Sequence, residues 1–437
     1  MANIVVGLYN QLLPMNGLSP YFYALLDGLK EAGNNVLCFQ RRFAKTEDKT
    51  KIPPDILNQI RLFQPDLFIF VCNQFWDVTP YFDQPIIVLD VDSINVFQNL
   101  EDLKTKKDRY AYASITQTGV KNILDIIKPS KDKVKYFQPF TEIHPTNAKK
   151  RIPIGFCGNF FLWDDFTMVQ DFIGKEPTDL ERERAKKVFQ EFLKFPYKKP
   201  QEFYDDADKA IVNKLTEDNV YVLTARLSGI QRLRYLTAIA DLGLEIRGQL
   251  WSRKIKALTP FPEVLLCYSS KVVNDFETTQ EFYNQCKIGF NTKQIQASSG
   301  FSWRCADILA TSACLISEQA DDFKELGFKV PTFESPNEAR DVCKKILDNE
   351  NMRLDLVHYN NELIDKKYRF KNALPVLEDL CGFPLQKVNK KGCLEMIYTD
   401  KKEVPVLPKH KKINFKNKIR YKVWKHLNKK LKKKGII

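Results

Sequence analysis

The ten cysteines of this chain form no C-x-x-C pair and no cluster with histidine. That argues against a paired-ligand zinc site and against a disulfide framework, and the expectation is reduced thiols in a cytosolic protein. No apolar run approaches the roughly 18 residues that a membrane span needs. The opening MANIVVGLYNQ has no basic n-region and too short an apolar run for a secretory signal, so none is expected. Acid is missing from one stretch: residues 409–434 hold thirteen Lys and Arg and no Asp or Glu. That stretch accounts for nearly all of the formal net charge of +14, so the remaining chain is close to neutral.

At 437 residues the chain is too long for one ordinary core, and two α/β domains of about 150–200 residues each are expected. Hydrophobic residues at 44% and aromatics at 12% supply ample core and mark a globular protein. Residues 3–8 read as a buried strand. Ser19-Pro20 is a helix start signal for 21–31, which ends at Gly33, and 36–39 is the next strand. The loop between, with Asn16 and Gly17, would lie at the carboxyl end of the first strand, where open α/β sheets bind ligands, or would be a plain sheet edge. Further apolar runs at 67–72, 86–89, 110–115 and 134–136 alternate with helices at 54–63 and 118–127. Runs buried on both faces and alternating with helices predict a parallel sheet.

This places a first Rossmann-like domain at 1–140, a linker at 141–151 and a second Rossmann-like domain at 152–380. A connecting segment at 381–408 and a basic tail at 409–437 follow. In the second domain 152–157 is the first strand, with Gly158-Asn159 behind it where backbone N–H groups could approach phosphate or sugar. Helical patches are expected at 179–193 and within 220–242, short strands at 244–247 and 264–267, and a helix at 276–286. Then come a strand at 287–291, a polar loop at 294–300, a helix at 301–310, a strand at 314–316, and helices at 337–347 and 353–366. A polar loop between a parallel strand and a helix start is a natural diphosphate site. Asp90-Val91-Asp92 follows a buried strand. It reads as a strand end capping the next segment, as a cleft carboxylate with Asp92 as general base, or, third, as a metal site.

Ser302, Arg304 and Asp307 stand in the run S-x-R-x-x-D-I-L-A, preceded by EFYNQ and KIGFN and followed by a short strand and an acidic helix. This order resembles the C-terminal domain of GT-B glycosyltransferases of the family 1 and 4 type, most of all the CgeB-like branch, and Gly155-Phe-Cys-Gly158 is similar to the start of that domain. The chain differs in Ser312-Ala313, where a glycine is usual, and in Asp307, where glutamate is common. The resemblance implies two Rossmann-like domains around a cleft and a nucleotide-sugar donor as substrate, with no cofactor and no metal. Arg304 would neutralise the diphosphate leaving group, and Ser302, Gly158 and Asn159 would complete the donor site. Asp307 would take the ribose, and Asp92 would deprotonate the acceptor. The alternative for Arg304 and Asp307 is a helix ion pair one turn apart.

In the tail, Phe415, Ile419, Val423, Leu427 and Leu431 recur every four residues beside Trp424, on a helix otherwise cationic through residues such as Arg420 and Lys425. One apolar stripe on a basic helix reads as a membrane-interface element drawn to anionic lipid. Its rivals are a solvated charge run and nucleic-acid binding through phosphate. Together these readings give a metal-independent glycosyltransferase at the inner face of the cytoplasmic membrane. Its acceptor would be a glycan or lipid-linked glycan in surface polysaccharide, lipopolysaccharide or lipooligosaccharide assembly. The other candidates are a nucleic-acid-binding protein and a non-catalytic nucleotide-sugar binder.

Overall fold

Strand β1 (Asn3–Asn10) lies inside a seven-stranded parallel sheet, ordered β12-β2-β1-β3-β4-β5-β6. The other strands are β2 (Asn35–Arg42), β3 (Leu67–Val71), β4 (Ile86–Asp90), β5 (Tyr110–Ser114), β6 (Val134–Tyr136) and β12 (Leu394–Tyr398). A second parallel sheet is ordered β11-β10-β9-β7-β8. It comprises β7 (Ile152–Cys157), β8 (Leu244–Arg247), β9 (Cys286–Asn291), β10 (Cys314–Glu318) and β11 (Thr332–Phe333). The computed structural model describes residues 2–10, 18–42, 52, 54–91, 94, 97–158, 228–229, 231–248, 258, 261–269, 271–273, 275–293, 301–386 and 391–398. The helical patch read at 179–193, the loop at 294–300 and the whole basic tail lie outside them. Among the described residues, no helix is long and apolar enough to cross a membrane.

The helices of the first half are α1 (Pro20–Glu31), α2 (Pro54–Phe63), α3 (Leu100–Thr105) and α4 (Gln117–Ile126). Those of the second are α5 (Pro262–Leu266), α6 (Phe276–Gln285), α7 (Trp303–Leu309), α8 (Asp322–Glu325), α9 (Pro336–Asp348), α10 (Glu350–Lys367) and α11 (Phe370–Cys381). Helix α1 starts as read, with Ser19 before Pro20. The central strands β3, β4 and β5 are buried along their whole length, as strands of a sheet covered on both faces are. In the second sheet, Ile288, Phe290, Cys314 and Ile316 pack on one face with Ile154, Phe156 and Ile246. Cys286 and Leu315 turn to the other face, against Cys305, Ile308 and Phe323.

Two expectations are corrected. Residues 264–267 are not a strand: Pro262 and Glu263 open helix α5, so Val264 is buried while Leu266 stands 57% exposed. Pro at a first helical turn costs nothing there, and it outweighs a four-residue apolar run. The second correction is in the path of the chain after residue 369. Residues up to 380 were placed in the second domain, but Phe370, Leu374 and Leu377 of helix α11 are buried in the core of the first. Strand β12, in the segment read as a connection, pairs with β2 at that sheet's edge. The returning helix meets α1 closely: a Cβ on Gly28 would collide with the Phe370 ring. Gly28→Ala therefore overpacks this contact and is expected to cost about 1–3 kcal/mol, read as a lower urea midpoint at unchanged slope.

Candidate functional site

Helices α1 and α7 each follow the carboxyl end of a strand, β1 and β9, in their own sheets. Their first turns meet. The rings of Tyr21 and Trp303 stack 3.7 Å apart and nearly parallel, and Tyr23 stacks on Phe276 at 4.2 Å. The carboxyl edges of the two sheets therefore face one another, which is where open α/β sheets hold their ligands.

On the second sheet this edge carries arginines. Arg304, in the first turn of α7, has no hydrogen-bond or ion-pair partner among the described residues, and its guanidinium lies 5.9 Å from the centre of the Phe156 ring. Arg232 approaches the same ring at 5.6 Å and donates from Nε to Thr292 Oγ1 at 2.8 Å, just past the end of β9. Arg247, the last residue of β8, donates to Glu245 at 2.7 Å and lies over the Phe282 ring. Gly158 follows β7, and a side chain on it would press on Phe156 at 2.9 Å and approach Arg304 Nη2 at 3.6 Å. Burial and the like charge of Arg304 hold Arg232 down to about 9. The charge of Arg304 thus works against that of Arg232, a repulsion that a bound anion would relieve. Asn291, the last residue of β9, donates to Ser317, and its buried Oδ1 has no partner among the described residues.

The structure brings Arg304 and Gly158 together. Ser302 caps no backbone N–H of α7 with its side chain and is exposed, its Oγ 3.6 Å from Cys305 Sγ. Asp307 does not reach the cleft. It is 6% exposed, and its Oδ1 accepts from Thr141 Oγ1 at 2.8 Å. No ion pair joins it to Arg304, which also sets aside the helix-pair reading. Burial raises the Asp307 carboxyl to about 7, against the opposing pull of Thr141 and Arg304. Asp90 is buried at the end of β4 and accepts from Ser114 at 2.8 Å, so this strand end is tied to its neighbour β5. Asp92, Asn159, Asn16 and Gly17 lie outside the described residues, as do Ile419, Arg420, Trp424, Lys425 and Leu427. The sequence reading did not assign Arg232, Arg247 or Thr141 to the site. A charged residue closing an apolar strand, as Arg247 does in LEIR, was the available signal for the second; Arg232 comes near the site only through folding.

No protein-family model and no curated protein matches the chain. Solved structures do match it. One is Anabaena HepE in complex with UDP and glucose, at a TM-score of 0.52 and 9% identity, covering 87% of this chain and 100% of that one. Another is sucrose-phosphate synthase from Thermosynechococcus elongatus, at 0.51 and 10%, covering 86% and 96%. The chain has the GT-B fold. In GT-B terms, the sheet of β1–β6 and β12 is the N-terminal domain and the sheet of β7–β11 the C-terminal one, with Arg304 on the inner edge of the latter.

Proposed function

We propose that this GT-B protein is a glycosyltransferase that takes a sugar from a nucleotide-sugar bound at the C-terminal domain. The observation that carries the reading is Arg304, a cation without a polar partner among the described residues, at the sheet edge facing the other domain. Its planar fork suits two oxygens of a diphosphate, and Arg232 and Arg247 add positive potential behind it. Neutralising the leaving diphosphate is the main electrostatic work of such a transfer. The UDP named with HepE supports a nucleotide as the ligand. Gly158 leaves room beside Arg304, and Ser302 and Asn159 are proposed to complete the donor contacts. Asp92, two residues past the end of β4, is the proposed base for the acceptor hydroxyl.

The acceptor is proposed to be a glycan or lipid-linked glycan of surface polysaccharide or lipooligosaccharide assembly. Residues 409–437 would hold the enzyme on an anionic inner membrane face, through Trp424, Ile419 and Leu427 in the interface and Arg420 and Lys425 on headgroups. The test is nucleotide release from a panel of UDP- and GDP-sugars, with and without EDTA. Release that persists in EDTA within about twofold is expected, because arginines carry the leaving-group charge. No release from any donor would overturn the activity, and loss in EDTA would assign that charge to a metal. Pelleting with phosphatidylglycerol vesicles is expected for the full chain and not after removal of 409–437; pelleting of both would refute the tail's role.

A further inference from the structure

Among the described residues the chain crosses between the two domains twice, and the crossings lie side by side. On the way out, Phe140 is buried in the first core and Ile143 in the second. On the way back, Tyr368 is buried in the second and Phe370 in the first. Thr141 N donates to Tyr368 O at 3.0 Å, and Arg369 Nη1 donates to the carbonyls of Thr141 and Ile143 at 2.8 and 2.6 Å. Phe370 N donates to Glu142 at 2.9 Å. The backbone of Thr141 is therefore held by the returning chain, and its side chain is left to act elsewhere.

That side chain has one proton to give, and the surroundings decide where it goes. Ile143 N donates to Thr141 Oγ1 at 3.1 Å, so the hydroxyl accepts there and gives its proton to Asp307 Oδ1. Asp307 lies one turn after Arg304 on α7, a helix of only seven residues. So short a helix does not hold its own orientation; packing and polar anchors do. Its end is anchored by Asn361, which donates to Leu309 O and Thr311 O. Its start is anchored by the Trp303–Tyr21 stack. Within its length, the side chains of Cys305 and Ile308 give apolar packing alone a say in rotation about the helix axis, and the bond from Thr141 to Asp307 adds a directional restraint.

We infer that Thr141 is a positioning residue for the anion site, its hydroxyl bond to Asp307 fixing the rotation of α7 and with it the direction of Arg304. The inference rests on the proposed donor site. It explains why the acidic residue here is the short Asp: its carboxylate is engaged with the crossing chain and not with a ligand. A misdirection of about 1 Å at a binding group is enough to cost large factors in turnover.

The test uses the full chain in five forms: wild type, Arg304→Ala, Thr141→Val, which keeps the shape and loses the hydroxyl, and Thr141→Ser and Asp307→Asn, which keep donor and acceptor. Affinity for UDP, GDP and inorganic pyrophosphate is measured by calorimetry, and amide exchange is followed over residues 303–309. Thr141→Val is expected to weaken binding about tenfold, the loss of one buried hydrogen bond, and to speed exchange in α7 above the rest of the second sheet. Thr141→Ser and Asp307→Asn are expected to stay within about threefold of wild type. A Thr141→Val protein with wild-type exchange over 303–309 overturns the inference, and so does one whose binding is unchanged while Arg304→Ala binds nothing. A wild type that binds none of the three probes overturns the donor-site reading, and exchange in α7 then still decides whether Thr141 fixes the helix. If Thr141→Val fails to fold, Thr141→Ser losing affinity as an intact protein refutes the hydroxyl's role.

Discussion

Arg304→Ala is expected to lower nucleotide release from the preferred donor by about 10²–10³-fold, the loss seen when one preorganised charge-stabilising donor is removed. Arg304 makes no bond among the described residues that a ligand would first have to break. Its contribution is thus available in full to the developing diphosphate. The neighbouring arginines do not take over, because Arg232 is engaged with Thr292 and Arg247 with Glu245. Arg304→Lys is expected to recover part of the rate, since it keeps the charge and loses the two-pronged geometry. Below pH 7, where Asp307 keeps its proton, the unfolding midpoint of Arg304→Ala should equal or exceed that of wild type, because the substitution removes a like charge beside buried Arg232. A rate within threefold of wild type would sink the assignment of Arg304. A rate lost together with the fold would show a structural role.

Asp307→Asn is expected to change how stability depends on pH. Burial, the largest cause, raises the folded carboxyl from its ordinary value of 3.8 to about 7. Between those values the folded chain holds the extra proton, so unfolding free energy falls as pH rises from about 4 to about 7. Below that window both states are protonated and the effect vanishes. Above it the full cost of ionising a buried carboxylate is present, on the order of 4 kcal/mol from the width of the window. The other polar or titratable groups near this carboxyl are Thr141 and Arg304, which favour its charged form. The thiols of Cys157 and Cys305 and the phenol of Tyr283 are pushed up by burial and stay neutral. Asparagine keeps the acceptor for Thr141 and does not titrate. Urea unfolding at pH 4 and pH 8 should show the variant gaining on wild type as pH rises. A difference between the two proteins that does not vary with pH would refute the buried, titrating carboxyl.

The parallel sheets were legible because their strands are buried on both faces. LFIFV is apolar throughout, and IIVLD and CKIGF are interrupted by one charged residue each, short runs of the kind a covered parallel sheet buries. The helix start at Ser19-Pro20 and the strand–loop–helix around Arg304 were legible for the same local reason: capping and turn chemistry act over a few residues. Strand β12 was not legible, because LEMIY is an edge strand whose partner β2 lies some 350 residues earlier. Pairing over that distance leaves no mark in the local pattern.

Residue type placed Arg304 and Asp307 one helical turn apart, and that spacing alone allowed both a shared ligand and an ion pair. Only the tertiary structure separated them. The first core takes back the chain at Phe370, the two crossings lie against one another, and Thr141 is thereby set beside Asp307. The carboxylate is claimed by a residue 166 positions away, and the guanidinium is left beside Phe156 and Gly158 without a polar partner among the described residues. Sequence determines which chemical groups a helix offers, because that depends on residue type and a period of 3.6. Which of them meets solvent or ligand depends on what packs against the helix, and here that is a segment brought in by the return of the chain.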